Sequence, residues 1–520
     1  MADLNQRDPF SRRVTYLVGG LLILRIIYAA IFPVNPAGDE AYYWDWGRQI
    51  DYGYYSKPPM IAWIYAFVDW VGGGSLFAIR VAALLFGTLA LLLLHRLTRS
   101  LFDSETAWIA ALIAAVAPAN SVLSFFLTID APLIVFWSTA LWMFWRVLSG
   151  EGKTGSWILL FLALGFGHLT KQMMMVFPVL AIGYLLLHSK TRRHLRKPVL
   201  WITLLGSYLS LIPPLIWNAQ NEWITFTHTK HHFVDASDGG NVILERIEDF
   251  FSFLGTQLGV LGPGTAVVLF PICLVLLPKI RKLSAPVRFL LVFGALPLAG
   301  MLLMALRQGL QPNWPAVFYV SCFALTAAWY AGHVRPKFPP QAMRKHLPVS
   351  VAISIALVAF FYFGPILFQA IGKDGHKADP SRRVLGHDLV AEEFEKIRRT
   401  QSHAGELFLV TLGHRDIASH LAFGLPDHPR LYRWESSGTI VSQYEIWNNP
   451  EEDGFVGKDA LVLAPHMEKL PSRFARGFTK VEKLDEFTVR FSYNRERTFS
   501  VFRASGLKAW PKDPPRKKNQ

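Results

Sequence analysis

Long, almost uncharged apolar runs recur along this chain from Val14 to Ala370, and they restrict its fold more than any other feature. Runs of about 17–25 such residues are long enough to cross a hydrocarbon core roughly 30 Å thick as helices. With 52% hydrophobic and 18% charged residues, the 520-residue chain is too apolar for an ordinary cytosolic protein. Hydropathy and charge bias together predict about eleven spans. They fall near 14–33, 76–95, 106–119, 131–148, 156–169, 172–188, 198–217, 256–278, 288–306, 313–332 and 348–370. The runs at 106–119 and 156–169 are short, and tilt, a kink or a re-entrant path would accommodate them.

The net charge of +15 would suit a nucleic-acid binder, but its distribution points elsewhere. Lys and Arg gather in alternate connections: Arg7, Arg12 and Arg13, then Arg96 and Arg99, then Arg146 and Lys153. "KTRRHLRK" (190–197), "KIRKLSAPVR" (279–288) and "RPKFPPQAMRK" (335–345) continue the series. This positive-inside bias places the N-terminus in the cytoplasm, and an odd number of spans then places the C-terminus outside. The first apolar run lacks a small-residue cleavage site and is expected to stay as a signal anchor. Cys273 and Cys322 lie in separate apolar runs, which argues against a disulfide or a cysteine metal site.

The expected organisation is a transmembrane domain over 1–370, with a long external loop at 34–75, followed by a soluble α/β domain over 371–520. Strand-like "LFLVTL", "ALVLAP", "FTVRFSYN" and "TFSVFRAS" and helix-like "RVLGHDLVAEEFEKIRR" mark the second domain. The tail "KDPPRKKNQ" reads as a disordered end. On the predicted topology, six polar features from distant parts of the chain share the external face. They are Asp39 with Glu40, Lys57, Asp130, Lys171, the His228–His232 stretch and Arg307.

"GDEAYYWDWGRQI" reads as a short helix with acids in its first turn, and its aromatic residues suit the headgroup region. A cap and an aromatic belt would account for that half of the loop. "YYSKPP" then holds Lys57 in a stretch stiffened by two prolines. A carboxylate and a lysine at a membrane surface suit attack by a hydroxyl on a sugar that leaves a lipid phosphate. The acid takes the proton, and the lysine neutralises the departing phosphate. A structural salt bridge is the competing reading of the same pair.

"DEAYYWDW…DYGYYSKPPMIAW", "TIDAP", "HLTKQ", "IPPLIWN", "QPNWPA" and "SQYEIW" resemble the bacterial polyprenyl-phosphate-sugar glycosyltransferases related to protein mannosyltransferases and the aminoarabinose transferase of lipid A. The resemblance implies a GT-C fold, with Asp39 as the catalytic carboxylate and Glu40 beside it. Lys57 corresponds to the lysine that holds the lipid phosphate, and Asp130 to a supporting or acceptor-orienting aspartate. Lys171 and Arg307 are further phosphate candidates, each also natural as an interfacial anchor. In the aminoarabinose transferase the residue before that lysine is acidic and helps to bind a metal; here it is Ser56, which argues against the same metal site.

His228, His231 and His232 have metal-like spacing, but Asp235 is the one acid nearby, so His228 and His231 are assigned to substrate contact or loop chemistry. No cofactor is required by this reading, and a divalent metal, if bound, is not expected to be essential. Arg25, deep in the first span, must find a buried partner. The reading implied is an inner-membrane glycosyltransferase moving a sugar, with inversion, from a polyprenyl-phosphate donor to a lipid A, lipopolysaccharide or other envelope glycan acceptor in the periplasm. The alternative is a lipid or sugar-lipid flippase, which would favour ionisable groups along a path through the bilayer and repeated spans.

Overall fold

The computed structural model describes residues 8–231, 242–402 and 404–511. The tail expected to be disordered, His232 and Asp235 all lie outside the described residues. Seven helices among the described residues are long and apolar enough to cross a membrane. They are α1 (Pro9–Ile31), α4 (Leu76–Leu101), α7 (Asp130–Ser149), Pro198–Gln220, Pro263–Lys282, Ala285–Ala305 and Gln341–Ala370. The expected run at 106–119 is instead the first part of a bent pair, α5 (Ser104–Ala115) and α6 (Pro118–Phe125), which meet at 68°. The other three expected runs form the shorter apolar helices Thr154–His168, Gln172–Leu186 and Ala316–Tyr330.

The bend between α5 and α6 has a local cause and a distant brace. Pro118 lacks an N–H and drives Ala117 into extended backbone at φ −66°, ψ 132°, so α5 cannot run on. The buried Arg25 reaches the start of α6, donating from Nη1 to Asn120 Oδ1 (3.0 Å) and from Nη2 to Ser121 Oγ (3.2 Å). Its partners are thus an amide and a hydroxyl, which spares the span a second buried charge.

The segment 34–75 contains two helices, α2 (Gly38–Gly47) and α3 (Met60–Gly72), packed so closely that a Cβ on Gly47 would lie 2.7 Å from Ala66 N. Beyond Ala370 the chain forms a five-stranded sheet of order β2-β1-β3-β5-β4. β1 (Phe408–Leu412) runs parallel to β2 (Leu431–Trp434) and β3 (Ala460–Pro465). β4 (Phe478–Ser492) and β5 (Arg495–Leu507) form an antiparallel ribbon whose second strand closes on β3. All four strand-like segments of the sequence therefore become strands.

Strand side chains alternate between faces. Phe408, Val410 and Leu412 enter a core with Tyr432, Trp434 and Phe478, while Leu409, Leu461 and Val501 join a second core. That second core also contains Tyr42, Tyr43, Trp44 and Trp46 of α2 and Leu421 of helix Arg415–Gly424. The headgroup-lying helix expected from those aromatics is therefore not formed. Tyr42 and Trp46 are 0% exposed, and Trp46 stacks on Tyr54 with centroids 4.5 Å apart. Burying four large rings against the sheet domain removes more apolar area from water than half-immersion at an interface would.

Candidate active site

The neighbouring acids Asp39 and Glu40 are pointed in different directions by the first turn of α2. Glu40 is 0% exposed. It accepts hydrogen bonds from Arg80 Nη1 (2.6 Å), Leu127 N (2.6 Å) and Ala37 N (2.9 Å), so both of its oxygens are engaged. Through these bonds Glu40 ties α2 to α4 and to the segment before α7, and it is not brought into the chamber that Asp39 meets. Arg80 completes the tie by donating to the carbonyls of Val34 (2.9 Å) and Asn35 (3.1 Å).

Asp39 has its side chain 52% exposed and accepts from Arg415 Nη2 at 3.1 Å. It opens on a cavity of about 540 Å³ enclosed between the membrane helices and the sheet domain. Tyr55, Ser56 and Lys57 supply one wall. Asp130 and Lys171 supply another, with Lys171 Nζ donating to Asp130 Oδ1 at 2.8 Å. Asn313 of "QPNWPA" donates to the other oxygen, Asp130 Oδ2, at 2.6 Å. Asp130 stands at the N-terminus of α7, where the helix dipole favours a negative charge, and it thereby holds Lys171 and Asn313 in place.

Lys57 makes no hydrogen bond or ion pair among the described residues. Burial, and then the charge of Lys171, hold its ammonium below the usual lysine range. It also lines a second, mostly apolar cavity of about 430 Å³ with Pro58, Met175, Tyr208, Leu211, Leu215 and Phe226. One lysine therefore marks the junction between a polar chamber and an apolar one.

His228 lines the polar chamber, its Nδ1 3.2 Å from Tyr55 Oη. His231 ends the helix Ile224–His231, and its side chain lies outside the described ones. Arg307 is exposed and is absent from the residues lining the chamber, which corrects its expected place beside a phosphate. Its backbone N–H still bonds to Met304 O (2.9 Å) in the last helical turn, and it is Gln311, Asn313 and Trp314 further on that reach the site. Both carboxylates of the chamber, Asp39 and Asp130, already face cations, an arrangement better suited to an anion than to a metal ion. The three-residue ligand cluster His466, Glu468 and Glu486 is exposed on the sheet domain, with Lys483 Nζ bonded to both glutamates.

A match to the dolichyl-phosphate-mannose-protein mannosyltransferase family covers residues 56–217. The lipid A galacturonosyltransferase RgtD of Rhizobium johnstonii is 28% identical over 435 residues, 82% of this chain and 86% of that protein. An undecaprenyl phosphate-alpha-4-amino-4-deoxy-L-arabinose arabinosyl transferase of Proteus mirabilis is 25% identical over 381 residues, 67% of this chain and 65% of that protein. The crystal structure of ArnT from Cupriavidus metallidurans bound to undecaprenyl phosphate superposes with a TM-score of 0.59 at 16% identity, covering 94% of this chain and 98% of that one. The chain has the GT-C fold of ArnT.

In this multi-pass membrane protein the sheet domain forms part of the chamber, which no single sequence motif announced. Arg415 stacks over Tyr42 at 4.4 Å while bonding to Asp39. "SQYEIW" clamps the first loop: Gln443 Oε1 accepts from Tyr55 N (2.7 Å), and Tyr444 Oη donates to Asp45 Oδ2 (2.6 Å). Arg80 and Arg415 were both missed. For Arg80 a signal existed, since a lone arginine in an apolar span demands a partner; for Arg415 nothing local distinguished it from other surface arginines.

Proposed function

We propose that the chain is an inner-membrane transferase whose chamber faces the periplasm, taking a sugar from a polyprenyl phosphate and passing it to a hydroxyl of a lipid A-type or other envelope glycan. The observation that carries this reading is the single chamber that joins Asp39, Lys57, Asp130 and Lys171 and adjoins an apolar cavity at Lys57. A polyprenyl chain suits the apolar side, and its phosphate then meets the ammonium of Lys57, with Lys171 behind it. The acceptor oxygen attacks the anomeric carbon as the bond from that carbon to the phosphate oxygen breaks. Asp39 takes the hydroxyl proton, the phosphate departs with the bonding electrons, and direct displacement inverts the anomeric centre.

The orientation follows from the positive-inside bias, with the N-terminus cytoplasmic. The core that α2 shares with the sheet domain supports a location for that domain, taken as starting at residue 371, on the same side as the first loop. A flippase would need charged groups strung through the bilayer, whereas Asp39, Lys57, Asp130 and Lys171 are collected in one chamber. The test is sugar transfer in membranes carrying Asp39→Asn or Lys57→Ala. Removing the base should lower turnover by about a hundred- to ten-thousand-fold. Near-normal transfer by folded variants would defeat the assignment, and lipid transport without glycosidic product would favour the flippase.

A further inference from the structure

The sheet domain contains a second polar cavity, separate from the chamber of the proposed transfer. It has a volume of about 330 Å³, at the lower end of ordinary ligand sites, and lies beside the chamber that holds Asp39. Arg433 lines both spaces and is the wall between them. That wall is rigid: the Arg433 guanidinium is held by Glu435 and Glu445 and donates from Nε to Gly413 O at 2.7 Å. The segment after β2 borders both, with Thr439 and Ile440 on the second cavity and Val441 and Ser442 on the first.

The lining pairs flat aromatic surface with hydrogen-bonding groups. Tyr444, Trp447 and Trp510 contribute rings. Trp447 stands edge-on to Tyr444 at 5.3 Å and 89°, and Trp510 edge-on to Phe474 at 5.9 Å and 86°, so each indole is fixed by a neighbour at its edge. Both are partly exposed, and neither indole N–H has a hydrogen-bond partner among the described residues. Among the described lining residues, Glu435 and Glu445 share the single guanidinium of Arg433, and Glu452 lines the same cavity. Such a site repels phosphate and uronate groups. It suits a ring with an apolar C–H face for stacking, hydroxyls to donate to carboxylates, and a neutral or positive charge.

We propose that this cavity binds a neutral or amine-bearing saccharide unit, one wall away from the transfer chamber. Two sources share that chemistry: the sugar head of the acceptor itself, which rests on the transfer reading above, or a separate envelope glycan that docks the enzyme.

The test is calorimetric titration of the full-length protein in detergent with a glucosamine disaccharide, and with a galacturonic acid disaccharide as the acidic control. The expected result is saturable binding of the first and none of the second. Trp447→Ala should weaken binding about tenfold through the lost stacking surface. Thr439→Trp, which fills the cavity from the exposed loop without touching the core, should abolish it. No binding by the wild-type protein, equal binding of both disaccharides, or binding untouched by both variants would overturn the proposal. The titration needs no turnover, so it stands or falls apart from the transfer reading. A raised acceptor KM at unchanged kcat in the same variants assigns the site to the acceptor's sugars, and an unchanged KM with lost binding assigns it to a separate glycan.

Discussion

Replacing Glu40 by alanine separates structural from chemical roles in the acidic pair of α2. The change removes the acceptor of Arg80 Nη1, Leu127 N and Ala37 N at once. Arg80 is 1% exposed and would keep the carbonyls of Val34, Asn35 and Phe125 and the faces of Phe125 and Phe126, each 4.9 Å away. Breaking a buried ion pair from one side costs about 3–5 kcal/mol, and those residual contacts place the loss near the lower figure, about 3 kcal/mol. The orphaned Leu127 N–H, in a residue 0% exposed, adds about 1–3 kcal/mol. Thermal unfolding in detergent, read by intrinsic fluorescence, should therefore show a clear drop in melting temperature for Glu40→Ala. Replacing both partners, as Glu40→Gln with Arg80→Met, should recover part of it, since no charge is left buried. Turnover per folded molecule should fall far less than in Asp39→Asn, whose melting temperature should stay near that of the wild type. A Glu40→Ala protein that melts normally yet transfers no sugar would refute the structural role.

Lys57 gives a pH prediction. With its ammonium held below the usual range by burial and by Lys171, it loses its proton at lower pH than the roughly 10.4 of a free lysine. Donor KM should therefore rise at a lower pH than the titration of a free lysine would set, and Lys57→Arg should hold it flat to higher pH. The native state takes up that proton less readily than the unfolded chain, so stability should increase with pH across the same interval. Arg415→Ala should lower kcat about tenfold by freeing the Asp39 carboxylate from its fixed position, measured with saturating donor and acceptor. In the sheet domain, burial pushes His387 down to about 4 and His420 down to about 3. Both are neutral when folded, and the unfolded chain binds their protons first, so stability should fall as pH drops below about 6.5. His420→Phe should lessen that acid loss in melting curves at pH 7.5 and pH 5.

The parts of this protein legible in its sequence are those with a local physical cause. Apolar length marks a span wherever it occurs, because the bilayer tests each segment on its own. Seven of the expected spans accordingly appear at full length, and Pro118 accounts for the bend in an eighth. The strands were readable from their apolar, β-branched composition, and Asp39, Lys57, Asp130 and Lys171 from their place beside span ends. The fate of the α2 aromatics was not readable, because composition is the same for a ring at a lipid interface and a ring under a sheet.

The sequence by itself determined a membrane bundle with a small α/β domain and a set of polar residues gathered at one face. Only the tertiary structure decided what each of two adjacent acids bonds to. Glu40 finds Arg80 forty residues away, and Asp39 finds Arg415 across 376 residues. Hydropathy sums over neighbours in the chain, but the partner that saturates or frees a carboxylate is chosen by packing, and packing brought the sheet domain down onto α2.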